Sequence, residues 1–332
     1  MGMPRQPRLD APGTLHHVIG RGIERAKIFS NKADREDFLN RVAQLCGGGS
    51  LIVYAWALMP NHFHLLVRTG RQPLSKSMRR LLTGYVINFN LRHKRHGHLF
   101  QNRYKSIVCE EDPYLLELTR YIHLNPLRAG MVKDISALSR YPWTGHSVLV
   151  GKVKRVWQDS DTVLSYFGTR SKEAIVRYEW FVRDGISQGR RPDLVGGGLI
   201  RTLGGWAQVL SMRRKGIRVA SDDRILGSGE FVENLISEVD KREKETLRLS
   251  SKVTDLATLG RKIAEDQGLL ESDLRSGSRK RRVSRIRRLY CQLAVSKMGY
   301  PAAEVARYVG VSTSAVARAA NSEDLPEIDT YP

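Results

Sequence analysis

The sequence predicts an α+β protein: an N-terminal antiparallel sheet flanked by helices, then an all-α C-terminal region containing a helix-turn-helix. Three observations carry this. Short β-branched and aromatic runs alternate with helical stretches over the first 145 residues. Beyond residue 146 the apolar residues recur mainly at helical spacing. Near the C-terminus, Pro301–Ala320 holds two short periodic segments on either side of Gly310. The 332 residues suit roughly two domains of ordinary size, and 41% apolar residues support a sizeable core. The expected organisation is a sheet-containing domain over 1–145, a helical linker region over 146–254, a helix-turn-helix domain over 255–320 and a tail over 321–332.

Leu15-His16-His17-Val18-Ile19 reads as the first strand. Gly20-Arg21-Gly22 after it suits a turn where the backbone comes close to something. Phe38, Leu39, Val42 and Leu45 mark a helix, with Asn31 or Asp34 as its cap. Gly47-Gly48-Gly49 ends it and opens a hairpin. Leu51 to Leu58 is the first arm, Pro60-Asn61 the turn, and the second arm starts at His62. Strand side chains alternate, so His62 and His64 share one face, while Phe63, Leu65 and Val67 share the other. The apolar face packs on a core. The other presents two imidazoles side by side, a common way to hold a divalent metal. Two half-buried strand histidines without a ligand are the plain alternative.

Ser75 to Arg92 reads as a basic helix with a stripe of Met78, Leu82, Tyr85, Val86 and Phe89. His93-Lys94-Arg95-His96-Gly97-His98 invites a zinc site, but its glycine and interleaved cations read better as a solvated loop touching phosphate. Leu99 to Val108 returns to strand character. Asp112-Pro113 opens a helix, with Asp112 as N-cap and Pro113 at the first position. Leu115, Leu118 and Ile122 form its buried stripe, and Pro126 is expected to end it near Asn125. Tyr121 and Asn125, four apart, share one face of the last turn. Taken singly, Tyr121 reads as a core tyrosine with its hydroxyl at the surface, and Asn125 as a helix cap.

Charge is the informative bulk property. Fifty-five Lys and Arg against thirty-four Asp and Glu leave +21, which favours a polyanion as partner. Nucleic acid is favoured over an acidic membrane, because a helix-turn-helix stands out and no long basic amphipathic helix does. No segment reaches the apolar length of a membrane span. The basic, Pro-containing N-terminus lacks the apolar run of a secretory signal. Cys46, Cys109 and Cys291 are few, odd in number and far apart, which fits a reducing cytoplasm rather than a disulfide framework. A cytoplasmic, nucleoid-associated protein is expected.

Four blocks of this sequence resemble the IS200-like (Y1-type) transposase domain and its REP-associated relatives. They are Val18-Ile19-Gly20-Arg21-Gly22; Met59-Pro60-Asn61-His62-Phe63-His64-Leu65-Leu66-Val67; Gly97-His98-Leu99-Phe100-Gln101-Asn102-Arg103-Tyr104-Lys105; and Tyr121-Ile122-His123-Leu124-Asn125-Pro126-Leu127-Arg128-Ala129-Gly130-Met131-Val132. They fall in the right order, and the resemblance runs from Leu15 to about Pro142. The resemblance implies an HUH endonuclease with a ferredoxin-like antiparallel sheet, cutting single-stranded DNA with one tyrosine. It maps the nucleophile onto Tyr121 and the histidine pair onto His62 and His64. The third metal ligand, one helical turn after the tyrosine, falls on Asn125. His123 is the rival ligand and is expected to face away. No departure from the family pattern is found at these positions.

The residue types suit that chemistry. Mg²⁺ or Mn²⁺ held by three neutral ligands keeps its full charge for a phosphate. The tyrosine would form a covalent phosphotyrosine, by resemblance to the 5′ phosphate, leaving a 3′ hydroxyl able to attack a second junction. No general base stands out: His98, Arg103 and Lys105 are each open to lowering the tyrosine pKa or touching phosphate. Arg21, Arg103 and Lys105 are the DNA-contacting candidates of this domain.

In the second half, Val156 to Arg183 reads as helical, Gly185 to Gly205 as a Gly/Arg/Pro-rich linker or surface segment, and Phe231 to Leu249 as a charged helix. Arg275 to Arg288 carries eight basic residues and no acid. In the helix-turn-helix, Ala306 packs at the crossing, Gly310 makes the turn, and Val305, Val309, Val311 and Val316 fill the space between. Ser312-Thr313-Ser314 would cap the second helix and meet DNA, with Arg318 on its outer face. The stretch 284–320 resembles the DNA-binding domain of the replication initiator DnaA, or a related helix-turn-helix. Arg281, Arg282, Ser312, Thr313, Ser314 and Arg318 are its DNA-contacting candidates.

The leading expectation is a metal-dependent single-strand DNA transposase acting on hairpin or repeat ends, with duplex DNA held by the C-terminal element and a homodimer as the family habit. The alternative is a sequence-specific DNA-binding regulator whose nuclease domain is unused. A third reading, an RNA binder with an RRM-like sheet, would need Trp56 and Tyr54 exposed on the central strands.

Overall fold

The computed structural model describes residues 9, 11–70, 72–169, 171–189, 191, 194–195, 222, 224–239, 255–278, 280–298, 300–320, 322 and 325–330. The chain divides into two compact units, Met1–Ile236 and Ser237–Pro332.

The first unit is built on a sheet of five strands in the order β2-β3-β1-β4-β5. These are β1 (Leu15–Arg21), β2 (Leu51–Met59), β3 (His62–Thr69), β4 (Lys105–Cys109) and β5 (Ile225–Leu226). The first four pair antiparallel, as the sequence predicts. The two-residue β5 pairs parallel with β4, so the sheet is mixed. Nothing at Ile225-Leu226 is long enough to carry a strand period, and β5 exists only because β4 offers it an edge. Strand β4 is also shorter than the sequence run that suggests it, starting at Lys105 rather than Leu99.

One face of the sheet packs on α1 (Lys32–Gly47) and α2 (Leu74–Arg92), burying Val18, Val53, Trp56, Leu58, Phe63, Leu65 and Val67 against Phe38, Val42, Met78 and Tyr85. Asn31 caps α1: its side chain accepts from the Asp34 amide, and Asp34 returns the bond in a capping box. The aromatic carbons of Phe63 cross Gly20, where a Cβ would sit 2.3 Å from the ring. Gly20 is therefore within β1, kept small by a neighbouring ring rather than by a turn.

The opposite face is covered by α3 (Glu111–Arg128), whose Leu115, Leu118, Ile122 and Leu124 bury against Leu15, Ala55, Ala57, Leu66 and Ile107. Helix α3 departs from its sequence reading at both ends. It starts at Glu111 with Glu110 in the cap position and no side-chain cap, so Asp112 and Pro113 lie inside the first turn. First-turn N–H groups have no intrahelical acceptor, so Pro113 costs nothing there. At the other end Pro126 does not stop the helix, which runs to Arg128. One backbone bond is forgone, but the Ala129 amide still closes onto the Asn125 carbonyl at 2.9 Å. Asn125 is thus a helix-interior residue, not a cap.

The first unit extends well past residue 145. Between them α5 (His146–Leu149), α6 (Ser160–Ser165) and α7 (Ser171–Asp184) bury Leu149, Val163, Tyr178 and Val182 in the same core as α3; the short α4 (Ile135–Ser139) adds Leu138. These helices lack a core of their own, which is why the unit runs to Ile236 instead of ending at the first sheet-helix layer. Trp56 is fully buried and Tyr54 nearly so, which removes the exposed aromatics an RRM-like RNA platform needs.

Behind α3 lies a buried polar cluster. His123 Nδ1 and His146 Nδ1 meet the Tyr178 hydroxyl at 2.7 and 2.9 Å. Burial holds the His146 pKa down at about 4 and pushes that of His123 well below the usual histidine range. In the unfolded chain both take up protons near pH 6.5. Stability is therefore fully present above about pH 6.5 and declines as pH falls towards 4, by up to about 1.4 kcal/mol per pH unit for His146, with His123 acting in the same direction. Urea denaturation at pH 7.5 and pH 5 should show the lower midpoint at pH 5; equal midpoints would contradict neutral burial of this pair.

The second unit holds α8 (Leu256–Asp266), α9 (Glu271–Arg275), α10 (Arg281–Cys291), a π-helical turn over Gln292–Lys297, α11 (Ala302–Val309) and α12 (Thr313–Ala320). Val305, Val309 and Val316 are buried in one core with Leu259, Ile263, Ile286 and Leu289, and Val311 packs at its edge. Gly310 joins α11 to α12 with φ +68°, the left-handed conformation, and a Cβ there would lie 2.9 Å from the Arg275 carbonyl oxygen. Gly310→Ala should lower the stability of this unit by about 1–2 kcal/mol. The check is its chemical denaturation midpoint in the full chain, where no shift would refute the assigned turn. Of the charged helix read over Phe231–Leu249, residues 229–239 are helical and the rest lies outside the described residues.

Candidate active site

Pairing of β1 with β3 fixes which side chains share the α3-facing side of the sheet. Ile19 lies opposite His64 and Arg21 opposite His62. Lys105 of β4 lies opposite Ile19. Alternation then puts His17, Ile19 and Arg21 of β1 on the same face as His62, His64 and Lys105. The rings confirm it: His62 and His64 stand with centroids 5.1 Å apart, and His17 stacks on His64 at 5.2 Å.

Helix α3 crosses this face. It sets the Tyr121 ring edge-on to His64 and His17, with centroids 6.0 and 6.1 Å away. One turn on, Asn125 lines the same cavity as His62 and Tyr121, together with Met59, Arg128, Ala129, Arg191 and Val195. Its volume is about 380 Å³. Tyr121, His62, His64 and Asn125 are thus gathered within one chain, from two elements far apart in sequence. His123, two residues from Tyr121, points the other way into the Tyr178 cluster.

Whether the set fits a divalent ion can be read from its hydrogen bonds. His62 Nδ1 is held by the Asn61 side-chain oxygen at 2.7 Å, and His64 Nδ1 by His17 Nε2 at 2.9 Å. Each bond leaves Nε2 of its histidine as the nitrogen for a ligand. The Asn125 Nδ2 is buried without a hydrogen-bond partner, so no protein group holds the side-chain amide through that atom. Burial, with Arg21 nearby, takes the His62 pKa down to about 4, and burial pushes His64 well below the usual range. Both imidazoles are neutral at pH 7, the form that binds metal. The donor set is therefore suitable. Among the described residues no three His, Cys, Asp or Glu side chains gather as a metal site, so an ion here depends on the Asn125 amide or on water as its third ligand.

The sequence reading missed four contributors. His17 was legible as a strand residue but not as a neighbour of His64, because strand order is not written in the alternation. Arg128 lies seven residues beyond Tyr121 and three beyond Asn125, on one helical face, and was obscured by ending the helix at Pro126. Its guanidinium carbon stands 5.6 Å over the Tyr121 ring, Nη2 donates to the Gly185 carbonyl at 3.1 Å, and Nε and Nη1 are buried without partners. Arg191 and Val195 come from the stretch read as a linker, where Leu194 is only 2% exposed; the rest of 196–205 lies outside the described residues.

Of the DNA-contacting candidates, Arg21 is exposed at the end of β1 and Arg103 is exposed before β4. Lys105 is exposed and donates to the Val195 carbonyl at 2.7 Å. In the second unit Arg281, Ser312, Thr313, Ser314 and Arg318 are exposed. Ser312 caps α12 through the Ala315 amide at 3.2 Å, while Arg282 also donates to the Gln267 carbonyl at 2.7 Å. Of the loop histidines, His93 is taken up by Asp34 at 2.9 Å.

With this geometry in place, the comparisons are specific. Residues 13–125 match the family model described as transposase IS200-like. This IS200-like domain covers about a third of the chain and ends at Asn125, so it contains Tyr121, His62, His64 and His17 but not Arg128 or Arg191. A solved structure of a REP-associated tyrosine transposase bound to a REP hairpin is similar at 15% identity and a TM-score of 0.37, over 47% of this chain and 98% of that one. Among curated proteins none matches. Among the described residues no helix is long and apolar enough to cross a membrane.

Proposed function

We propose that the protein is a transposase-type single-strand DNA endonuclease and strand transferase, with Tyr121 as its nucleophile. The observation that carries this is the convergence of Tyr121 and Asn125 on the His62/His64 pair within an IS200-like domain. The Tyr121 oxygen bonds to phosphorus, the bond to the 3′ oxygen breaks, and that oxygen leaves with a proton as a 3′ hydroxyl. The 5′ phosphate stays on the tyrosine. Because one phosphodiester is exchanged for another ester, the 3′ hydroxyl of a second strand reverses the step without an external energy source.

His62, His64 and Asn125 would hold Mg²⁺ or Mn²⁺, which supplies Lewis-acid charge and a template for the phosphate when bound. Arg128 over the Tyr121 ring favours the phenolate and offers unpaired donors beside it. Arg21 and Lys105 extend the positive rim along which a single strand would lie. In the second unit, α11 and α12 form a helix-turn-helix that holds duplex DNA through Ser312, Thr313, Ser314 and Arg318, with Arg281 and Arg282 on phosphates. A homodimer and a cytoplasmic, nucleoid-associated location belong to the same reading.

The test is cleavage of a 3′- or 5′-labelled hairpin-bearing single strand with Mg²⁺ or Mn²⁺, followed by peptide mapping of the covalent adduct. DNA attached through its 5′ phosphate to the peptide containing Tyr121 is expected. Cleavage without any protein–DNA adduct would refute the mechanism.

A further inference from the structure

Two arginines line the Tyr121 cavity: Arg128 on α3, and Arg191 from well beyond the IS200-like match. Among the described residues no acidic side chain lines it with them. Both guanidiniums are anchored on one short stretch, residues 185–188, directly after α7. Arg128 Nη2 donates to the Gly185 carbonyl at 3.1 Å, and Arg191 Nη1 donates to the Gln188 side-chain oxygen at 2.9 Å. Arg191 Nη1 also donates to Glu117 of α3 at 3.2 Å. Glu117 is itself held in place. Arg120, only 6% exposed, donates through Nη2 to both Glu117 oxygens at 2.7 and 2.8 Å, and its guanidinium carbon stands 4.2 Å from the Phe181 ring centre.

The charges here do not balance. Three guanidiniums, those of Arg120, Arg128 and Arg191, gather around the carboxylates of Glu117 and Asp184. The Asp184 side chain is 74% exposed and meets Arg120 only at 3.4 Å, so water screens it. Arg128 pairs with no carboxylate among the described residues, and its Nε and Nη1 are buried without an acceptor. A buried cationic donor left unpaired is costly, and a bound anion removes that cost. We propose that Arg128 and Arg191 form a seat for one backbone phosphate of a single strand, beside Tyr121. A phosphodiester carries its charge on two non-bridging oxygens, so it can accept from two guanidiniums at once. The anchors at Gly185, Gln188 and Glu117 set the direction of each guanidinium beforehand, which lowers the ordering cost of binding. Half of the seat therefore comes from the part of the first unit that lies outside the IS200-like match.

The seat rests on the reading that a single strand enters the Tyr121 cavity. It is tested in the full chain with a fluorescent hairpin-bearing single strand in EDTA, which separates binding from cleavage. Anisotropy gives the affinity for this strand and for a set in which each backbone linkage in turn is a neutral methylphosphonate. In the wild type at least one linkage should stand out, its neutralisation weakening binding about 10–100-fold. Arg191→Gln and Arg128→Gln should each weaken the unmodified strand to a similar degree, and each should lose sensitivity to that same linkage. If Arg128→Gln does not fold, Arg191→Gln, on a partly exposed side chain, carries the test alone. Uniform weakening with the wild-type linkage pattern retained overturns the inference, and so do two arginines coupled to different linkages. The expected coupling without any adduct on Tyr121 supports the seat and refutes the nuclease reading. Cleavage through Tyr121 with the pattern unchanged in the variants overturns the seat and leaves the nuclease reading standing.

Discussion

Tyr121→Phe should remove covalent adduct formation and lower single-strand cleavage by at least about 10³-fold, because deleting a nucleophile leaves only positioning and charge stabilisation. The change is a single oxygen on a half-buried side chain. The ring contacts with His64, His17 and Arg128 remain, so the fold and hairpin binding should survive. That contrast is what makes the experiment sharp. Cleavage and denaturation are measured on the same preparation, and an adduct that persists in the phenylalanine variant would place the nucleophile elsewhere. A variant that loses hairpin binding along with cleavage would instead assign Tyr121 to recognition.

His62→Ala should abolish metal-stimulated cleavage, with a loss beyond the 10–100-fold typical of outer-sphere partners, while DNA binding stays close to wild type. His62 is the better choice of the two strand histidines. It lines the cavity and is half-buried, and its hydrogen bond is local, to Asn61. Removing His64 would also strip a buried partner from His17 and confuse a lost ligand with a lost hydrogen bond. Mn²⁺ titration by calorimetry and hairpin binding by gel shift report the two properties separately. Metal affinity equal to wild type would mean that the pair on β3 does not hold the ion.

Both experiments turn on residues that the primary structure already marks. The period-two alternation around His62 and His64 and the four-residue step from Tyr121 to Asn125 are local geometry, set by backbone bond lengths and angles. So are the Asn31–Asp34 capping box, the helical stripe of α1 and the left-handed turn at Gly310. The four antiparallel strands follow for the same reason, with β4 shorter than its run because it starts only at Lys105. Each is a short run whose pattern needs no partner to be read.

Where the reading stopped, the deciding interaction was between distant parts of the chain. Strand order put β1 between β3 and β4, and only that order makes His17 a neighbour of His64. Pro126 argued locally for a helix end, yet α3 continues because its apolar stripe is already buried against the sheet and one lost backbone bond is a small opposing term. That extra turn brings Arg128 over Tyr121. Strand β5, Arg191 and Val195 come from stretches with no period of their own, and they take their form from the edge and the face they dock against.

The sequence by itself determined the chemistry available: two imidazoles on one strand face, and a phenol and an amide on one helix face. Tertiary structure alone decided that these faces meet, and which further groups join them. Side-chain periodicity is a property of a single segment, while the approach of two faces is settled by which apolar surfaces bury together.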